Sequence, residues 1–342
     1  MRRRPADVRR LAPGHRALKV QIPVNGVDQG IFLQVRDPHR PVLLFLHGGP
    51  GMPEFWLTHH HPTRLDEAFT VAWWEQRGAG LSYHPGIPAS SMTVEQFIDD
   101  TIAVARYLCR RFGVEKVHLM GHSWGSFIGL QAAARAPGLF HSYIGMAQVT
   151  HQIASEQEAH RFMLEAYRAQ GDRRMVRRLE RSPVTGTIPL PRGYELLRDA
   201  GMHRLGVGTT RAMRSVVTGI FLPSLLSPDY TPGERVDLWR GRHFSRRFGL
   251  WDQMLATDLR QEITRLPIPA YFLHGRHDRT VSYALAKAYA RRLEAPLVGF
   301  YTFEGSAHSP AFEQPDRTLQ ILTHDVLTGT ASTMADPPMD GG

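Results

Sequence analysis

The chain has 342 residues, 42% hydrophobic and 21% charged, a globular composition that excludes a disordered or fibrous protein. The net charge of +9 suggests nucleic acid or an anionic surface as partner, but only three of the 41 basic residues are lysines, and such an arginine bias also follows from codon usage in a GC-rich genome. A single cysteine, Cys109, excludes an intramolecular disulfide and a cysteine-rich zinc site.

Short apolar, β-rich runs alternate with helical patterns along the chain. Most of the runs are nearly continuous apolar segments, as expected for strands that are buried on both faces of a mostly parallel sheet. The predicted strands cover residues 41–46, 69–74, 114–120, 140–147, 268–273 and 297–303.

A helix is predicted over residues 93–112, because apolar residues recur there with a period of 3.6. Thr93 or Ser91 can cap its N-terminus, and Gly113 stands at its end. Strand, helix and strand then form a βαβ unit. The alternation stops in residues 152–250, which are helical and rich in arginine, and resumes at residue 268.

These patterns predict one α/β domain with an inserted helical segment, rather than two domains in tandem. The predicted parts are a basic N-terminal arm at 1–15, a core at 16–150 and 251–327, a helical cap at 151–250 and a flexible tail at 328–342. No apolar run approaches the ~20 residues of a membrane span, and no apolar signal-peptide core follows the basic N-terminus. We therefore expect a cytoplasmic protein with no membrane partner.

The motif GHSWG at residues 121–125 fits the pattern G-x-S-x-G. A predicted strand precedes it and a helical stretch, 126–135, follows it. A serine on such a sharp turn needs small flanking residues, because its own backbone is strained and its neighbours approach closely. This context predicts Ser123 as a nucleophile.

A serine hydroxyl needs a histidine base that is oriented by an acid. Asp278 and His308 each lie in a loop that directly follows a predicted strand, where catalytic groups gather in open α/β sheets. The chain order Ser123, Asp278, His308 is that of α/β-hydrolase triads. His277 and Glu304 are the main rivals; His277 adjoins the acid in sequence, and Glu304 could replace it only if its loop doubled back.

The glycine-rich segment HGGPG at residues 47–51 follows the predicted strand 41–46 and supplies backbone N–H donors. Acyl transfer needs two such donors for the oxyanion, and we predict the amides of Gly49 and Trp124. A phosphate-binding loop is the alternative, but the segment lacks the lysine and hydroxyl that a Walker motif requires.

The remaining residues that could suggest a special role are interpreted as structural. Consecutive side chains cannot all face one ion, so the run His59, His60 and His61 is expected to be solvated near the mouth of the site. Cys109 and the tryptophans at 56, 73 and 74 are assigned to packing. No metal and no cofactor are predicted.

Five segments together resemble the prolyl aminopeptidase (proline iminopeptidase) branch of the α/β-hydrolase superfamily. They are HGGPG, WEQRGAGLS at 74–82, GHSWGS, HGRHD at 274–278 and GSAH at 305–308. The resemblance covers residues 25–150 and 265–325. It implies an α/β-hydrolase fold, a mostly parallel sheet flanked by helices with an inserted cap, and the triad and oxyanion residues named above. It also implies that Glu75 and Arg77 support the HGGPG loop through an internal charge pair.

The resemblance further implies that glutamates of the cap bind a free substrate amine, one of them within a segment like E-N-H-Y-F. Residues 240–244 here read RGRHF, without an acid. We predict substrate contacts from Gly48, Glu234, His243 and Phe244. The cap acids that could capture an ammonium group are Glu156, Glu158, Glu195, Glu234 and Asp237.

The leading hypothesis is a serine hydrolase that forms an acyl-enzyme on Ser123 and releases N-terminal residues, commonly proline, from short peptides. The alternatives are a hydrolase of small esters, lactones or amides, and a non-hydrolytic enzyme of the same fold. A nucleic-acid partner is not expected, because no zinc-finger, helix-turn-helix or RNP pattern accompanies the charge.

The positive charge is concentrated in two parts of the chain. Residues 151–250 hold 17 arginines and 10 acidic residues, a net charge of +7, and residues 1–10 contribute +4. The rest of the chain is close to neutral. A basic cap favours anionic or neutral substrates over cationic ones.

Overall fold

An eight-stranded sheet forms the centre of the fold in the computed structural model, which describes residues 17–332 and 334–336. The basic arm expected at 1–15 lies outside the described residues. The strands are β1 (Leu18–Val24), β2 (Val27–Gln34), β3 (Val42–Leu46), β4 (Thr70–Trp74), β5 (Val117–His122), β6 (Phe140–Met146), β7 (Ala270–Gly275) and β8 (Val298–Phe303).

The strand order is β1-β2-β4-β3-β5-β6-β7-β8. The pairs β1–β2 and β2–β4 are antiparallel, and all the others are parallel. Six strands match the six predicted apolar runs. The other two, β1 and β2, form a hairpin that the apolar runs did not indicate, because polar and apolar residues alternate along β1.

Helices cover both faces of the sheet. They are α1 (Val94–Phe112), α2 (Trp124–Arg135), α3 (Gln152–Ala169), α4 (Arg173–Glu180), α5 (Arg192–Leu205), α6 (Leu222–Leu226), α7 (Pro232–Ser245), α8 (Leu250–Ala256), α9 (Leu259–Glu262), α10 (Tyr283–Arg292), α11 (Pro310–Glu313) and α12 (Pro315–Ile321). The helix predicted over 93–112 is confirmed as α1. The Thr93 side chain accepts a hydrogen bond from the Gln96 N–H, and Gly113 ends the helix in the left-handed conformation.

The core has two layers, one on each face of the sheet. Alternate residues of β3 enter opposite layers: Leu44 and Leu46 pack with α1 and α2, whereas Leu43 and Phe45 pack on the other face. A third apolar cluster lies within the helices between β6 and β7 and includes Tyr167. All residues from 152 to 250 are described, and none of them lies in a strand.

The C-terminal residues that the structure describes are packed, in contrast to the flexible tail expected at 328–342. Met334 and Ala335 lie against the core layer that contains Phe45. The Asp336 N–H donates to the Phe300 carbonyl at 2.7 Å, and the Asp336 carboxylate accepts from the Thr302 N–H at 3.1 Å. Asp336, within the expected tail, therefore binds two backbone groups of β8.

Across residues 17–332 and 334–336, none of the helices combines the length and apolar character needed to cross a bilayer.

Candidate active site

Ser123 stands on the sharp turn between β5 and α2. Its backbone has φ of 53° and ψ of −119°, a strained combination for a residue with a side chain. The two glycines of the motif make room for this turn. A Cβ at Gly121 would lie 2.4 Å from the Gly125 carbonyl oxygen, and a Cβ at Gly125 would lie 2.1 Å from the Leu46 oxygen. Both contacts are with backbone atoms, so only glycine fits.

Trp124 is the first residue of α2, so its N–H has no acceptor within the helix. The indole is fixed from the other side, because its Nε1 donates to Gln76 Oε1 at 2.8 Å. Positive helix-dipole charge and an N–H without a helical acceptor therefore lie directly after Ser123. This is the arrangement that an oxyanion needs.

His308 and Asp278 are adjacent in the structure, although 30 residues separate them in sequence. His308 Nδ1 lies 2.8 Å from Asp278 Oδ2, and both side chains are buried. The other carboxylate oxygen, Oδ1, accepts the N–H groups of Thr280 at 2.8 Å and Val281 at 3.0 Å. The two backbone donors fix the carboxylate, and the carboxylate in turn orients the imidazole.

The electrostatics of this pair favour an ionised acid and a neutral base. Burial alone would raise the pKa of Asp278, but the charge and hydrogen bonds of His308 and His274 outweigh it and hold that pKa well below its usual range. Burial lowers the pKa of His308 below the ordinary histidine value, although Asp278 opposes this shift. Neutral His308 can accept a proton.

The HGGPG loop follows β3 and approaches Ser123 closely. A Cβ at Gly48 would lie 3.3 Å from the Ser123 Cβ, and Gly49 has φ of 125°, a conformation that favours glycine. His47 anchors the loop: its Nδ1 lies 2.6 Å from the Gly48 carbonyl oxygen, and its Nε2 accepts from the Gln76 N–H at 3.1 Å. Burial lowers the pKa of His47 to about 4, so this ring is neutral.

The segment after β4 joins these pieces, but not through the charge pair expected between Glu75 and Arg77. That prediction is wrong. Arg77 forms a buried ion pair with Asp100 of α1, with Nε 2.8 Å from Oδ2. Glu75 instead accepts from the Leu81 N–H at 2.5 Å and from the Tyr230 hydroxyl. Arg77 and Glu75 therefore bind partners that packing brings close to them, and not each other.

A cavity of about 470 Å³ lies above the sheet and is lined by Ser123, His308, Gly48 and Gly49. The inserted helices form its other wall. The charged residues that line it are Glu54, Glu195, Arg198, Asp199, Arg242, Arg246 and Asp252.

Three of the predicted substrate contacts do not line this cavity. Glu234 caps α7 and pairs with Lys19, with Oε2 2.6 Å from Nζ. His243 and Phe244 line a separate shallow groove on the other side of α7. Close packing against the loop after β4 sets the rotation of α7 about its axis: a Cβ at Gly241 would lie 2.6 Å from the Gly78 oxygen. This orientation directs Arg242 and Arg246, one turn apart, toward the cavity.

Of the five cap acids considered from the sequence, Glu195 lines the cavity. Glu156 is buried behind the wall, where Arg198 binds it through Nε at 2.7 Å and Nη2 at 2.6 Å. Sequence reasoning missed Glu54, His122 and Asp252. His122 ends β5 within the GHSWG motif, whereas Glu54 and Asp252 reach the cavity through loop and helix packing and no local motif marks them.

The rival triad candidates lie elsewhere. Glu304 pairs with Arg276 at 3.0 Å, and neither Glu304 nor His277 lines the cavity. His59 and His60 are exposed, with their rings in edge contact. In the part of the chain that is described, no three His, Cys, Asp or Glu side chains cluster as metal ligands would.

Comparison with known proteins agrees with this fold. A family model described as alpha/beta hydrolase fold matches residues 41–315. "Probable aminopeptidase YbaC" of Bacillus subtilis (strain 168) is 31% identical over 311 residues, which cover 90% of this chain and 95% of that protein. The crystal structure of a proline iminopeptidase from Mycobacterium smegmatis shares the fold, with a TM-score of 0.62, 20% identity, and coverage of 91% of this chain and 98% of its own. The chain belongs to the α/β-hydrolase family, as a member of its prolyl aminopeptidase-like branch.

Proposed function

We propose that the protein is a serine hydrolase that removes an N-terminal residue from short peptides through an acyl-enzyme on Ser123. The observation that carries the proposal is the buried pair of His308 and Asp278, joined at 2.8 Å, whose histidine lines the same cavity as a serine on a strained strand-to-helix turn. A serine, a neutral imidazole and an ionised carboxylate are the parts that acyl transfer needs.

In the proposed reaction, neutral His308 takes the proton of Ser123 as its oxygen attacks the scissile carbonyl. The N–H groups of Gly49 and Trp124 stabilise the oxyanion, and His308 then protonates the leaving amine. Water repeats the sequence on the acyl-enzyme, with His308 again acting as base. Asp278 holds the imidazole with Nδ1–H toward the carboxylate, which leaves Nε2 free for the serine.

The substrate's free amine is proposed to bind between Glu195 of α5 and Asp252 of α8. Both line the cavity, and among the described residues neither has an ion-pair partner within 4 Å. Burial raises the pKa of Glu195; Arg246 opposes this shift, and the charge of Asp252 adds to it. A bound ammonium group would relieve the repulsion between the two acids. The printed name of the B. subtilis relative, a probable aminopeptidase, supports this substrate class.

We expect Glu195→Gln to raise KM for an L-prolyl anilide by about 10- to 100-fold, which corresponds to the ~1.5–3 kcal/mol of a charge-assisted hydrogen bond. KM for a nitrophenyl ester without an amine should stay within about twofold of the parent value. Glu158→Gln is the matched control, because Glu158 lies on α3 and does not line the cavity. Equal changes in KM for both substrates would contradict amine binding at Glu195.

A second candidate function is the hydrolysis of small neutral or anionic esters, lactones or amides, since three arginines line the cavity. The contacts of two of these arginines weaken that reading. Arg198 is bound by Glu156 and by Asp199 at 2.8 Å, and Arg242 lies 3.7 Å from Asp199. Comparing the parent enzyme on the prolyl anilide and the nitrophenyl ester decides between the two. Ester turnover without any anilide cleavage would favour the second function.

The pH dependence should follow His308. Because the pKa of His308 lies below the ordinary value of 6.5 and the neutral ring is the active form, activity should fall only as pH drops below 6.5. We therefore expect the acidic limb of a plot of kcat/KM against pH to have its midpoint below 6.5, since kcat/KM reports the free enzyme. A midpoint above 6.5 would contradict this environment for the base.

A further inference from the structure

A second carboxylate–histidine pair lies beside the proposed triad, formed by Glu54 and His122. His122 Nδ1 is 2.8 Å from Glu54 Oε1, and His122 Nε2 is 2.9 Å from the backbone oxygen of His308. The same Glu54 oxygen accepts the N–H of Gly48 at 3.1 Å. One carboxylate oxygen and one imidazole therefore join the oxyanion loop, the nucleophile turn and the loop that carries the base.

The hydrogen bonds indicate the charge state of His122. Both ring nitrogens face acceptors, a carboxylate oxygen and a carbonyl oxygen, so both must carry protons to be satisfied. His122 is then an imidazolium. The pKa values agree: burial alone would lower the pKa of His122, but the Glu54 carboxylate outweighs it and raises it. Burial alone would likewise raise the pKa of Glu54, but His122 holds it below its ordinary value.

Stability alone is a weak reason for such a pair. Taking two charges out of water costs about as much as their attraction returns, and apolar side chains of similar size often replace buried ion pairs without loss. The second oxygen of Glu54, Oε2, is also buried and has no hydrogen-bond partner among the described residues. The buried Glu54–His122 pair therefore carries a desolvation cost, and it lies beside the proposed nucleophile.

We propose that Glu54 and His122 are positioning residues that act as a unit, holding the His308 backbone and the Gly48 amide in register with Ser123. The proposal deepens the proposed function and rests on it. Neither side chain needs to touch the substrate. Each one acts through a backbone group of the catalytic machinery.

The charges of the Glu54–His122 pair also act on the pKa of His308, the proposed base. The His122 ring lies 4.8 Å from the His308 ring, measured between centroids. The titratable groups facing the two rings are Glu54 and His47 from the region after β3 and Asp278 from the loop after β7. The cation of His122 opposes protonation of His308, while the anion of Glu54 favours it. With the pair intact the two contributions to the pKa of His308 therefore have opposite signs.

The test uses three variants: His122→Gln, Glu54→Gln and the double variant. We expect each single substitution to lower kcat for the proposed substrate by about 10- to 100-fold, because small displacements of reacting groups are costly. KM should change by no more than about threefold. If the residues act as a unit, the double variant should cost about as much as either single one.

The pH profile separates positioning from a general loss of structure. His122→Gln removes the cation that lowers the pKa of His308, so the acidic limb of kcat/KM should move to higher pH by about half a unit or more. In Glu54→Gln both charges disappear together and the limb should stay within about 0.3 units. His59→Gln and Glu165→Gln are matched controls at exposed positions and should behave like the parent.

The proposal requires both a non-additive loss of kcat in the double variant and a shift of the acidic limb to higher pH in His122→Gln. Losses of kcat that multiply in the double variant overturn it, as does an acidic limb in His122→Gln that stays in place or moves to lower pH. Should His122→Gln fail to fold, Glu54→Gln decides alone: a lower kcat at nearly unchanged KM supports it, and an unchanged kcat overturns it. Labelling of Ser123 by a fluorophosphonate separates the two hypotheses. If Ser123 of the parent is not labelled, the proposed function fails. If it is labelled but the Glu54 and His122 variants behave like the parent, only the proposed positioning role fails.

Discussion

Ser123→Ala is expected to lower kcat/KM by about 10⁴- to 10⁶-fold, the range seen when a nucleophile that works with its base is removed. The turn itself should survive, since alanine keeps the Cβ and the Ser123 N–H bond to the Met146 oxygen at 3.0 Å. Substrate KM and the thermal unfolding temperature should therefore remain close to those of the parent. Steady-state kinetics and a thermal melt on the same preparation measure both.

Ser90→Ala is the matched control for this substitution, because Ser90 is exposed and far along the chain from the turn. It should leave kcat/KM within about twofold of the parent value. An Ser123→Ala enzyme that keeps more than about a hundredth of the parent rate would contradict the assignment of the nucleophile.

Asp278→Asn is expected to lower kcat by about 10³- to 10⁴-fold through the wrong histidine tautomer. The oxygen of an asparagine would face the N–H groups of Thr280 and Val281, where Oδ1 now accepts two hydrogen bonds. Its NH₂ group would then face His308 Nδ1, which must become an acceptor. The proton moves to Nε2, and the ring can no longer take a proton from the serine.

Asp28→Asn, at an exposed position, controls for the change of a carboxylate to an amide. NMR of the imidazole protons gives a second measurement: the Nδ1–H signal of His308 should be present in the parent and absent in Asp278→Asn. A variant that keeps this signal and loses no more than about tenfold in kcat would show that the carboxylate does not orient the base.

Much of the sheet could be predicted because its central strands are buried on both faces. Continuous apolar runs such as residues 42–46 mark such strands directly. The hairpin of β1 and β2 carries a different signal. Asn25 and Gly26 form its turn with φ of 46° and 80°, and Asn-Gly between alternating residues is the strongest local indication of a hairpin.

The proposed nucleophile, base and acid could be named from the sequence because each position has a local mark: a glycine-flanked turn, or a loop that directly follows a buried strand. The structure brings Asp278 and His308 together, and Ser123 lines the same cavity as His308. Their catalytic roles rest on the experiments above.

Side chains whose partners come from distant elements could not be predicted. Glu75 and Arg77 are two residues apart, which suggested a pair, but Arg77 reaches Asp100 on α1 and Glu75 reaches Tyr230 in the inserted helices. The rotation of α7 about its axis is likewise set by tertiary packing. For this reason Arg242 faces the cavity while His243 lies in the groove outside it.

The most direct test of the central claim is peptide mapping by mass spectrometry after reaction with a fluorophosphonate probe. The account predicts one adduct per chain, on the serine at position 123, formed at a rate that falls as His308 becomes protonated. The adduct should be absent in Ser123→Ala. Labelling of that variant at the same cavity, or an adduct on another residue of the parent, would contradict the assignment.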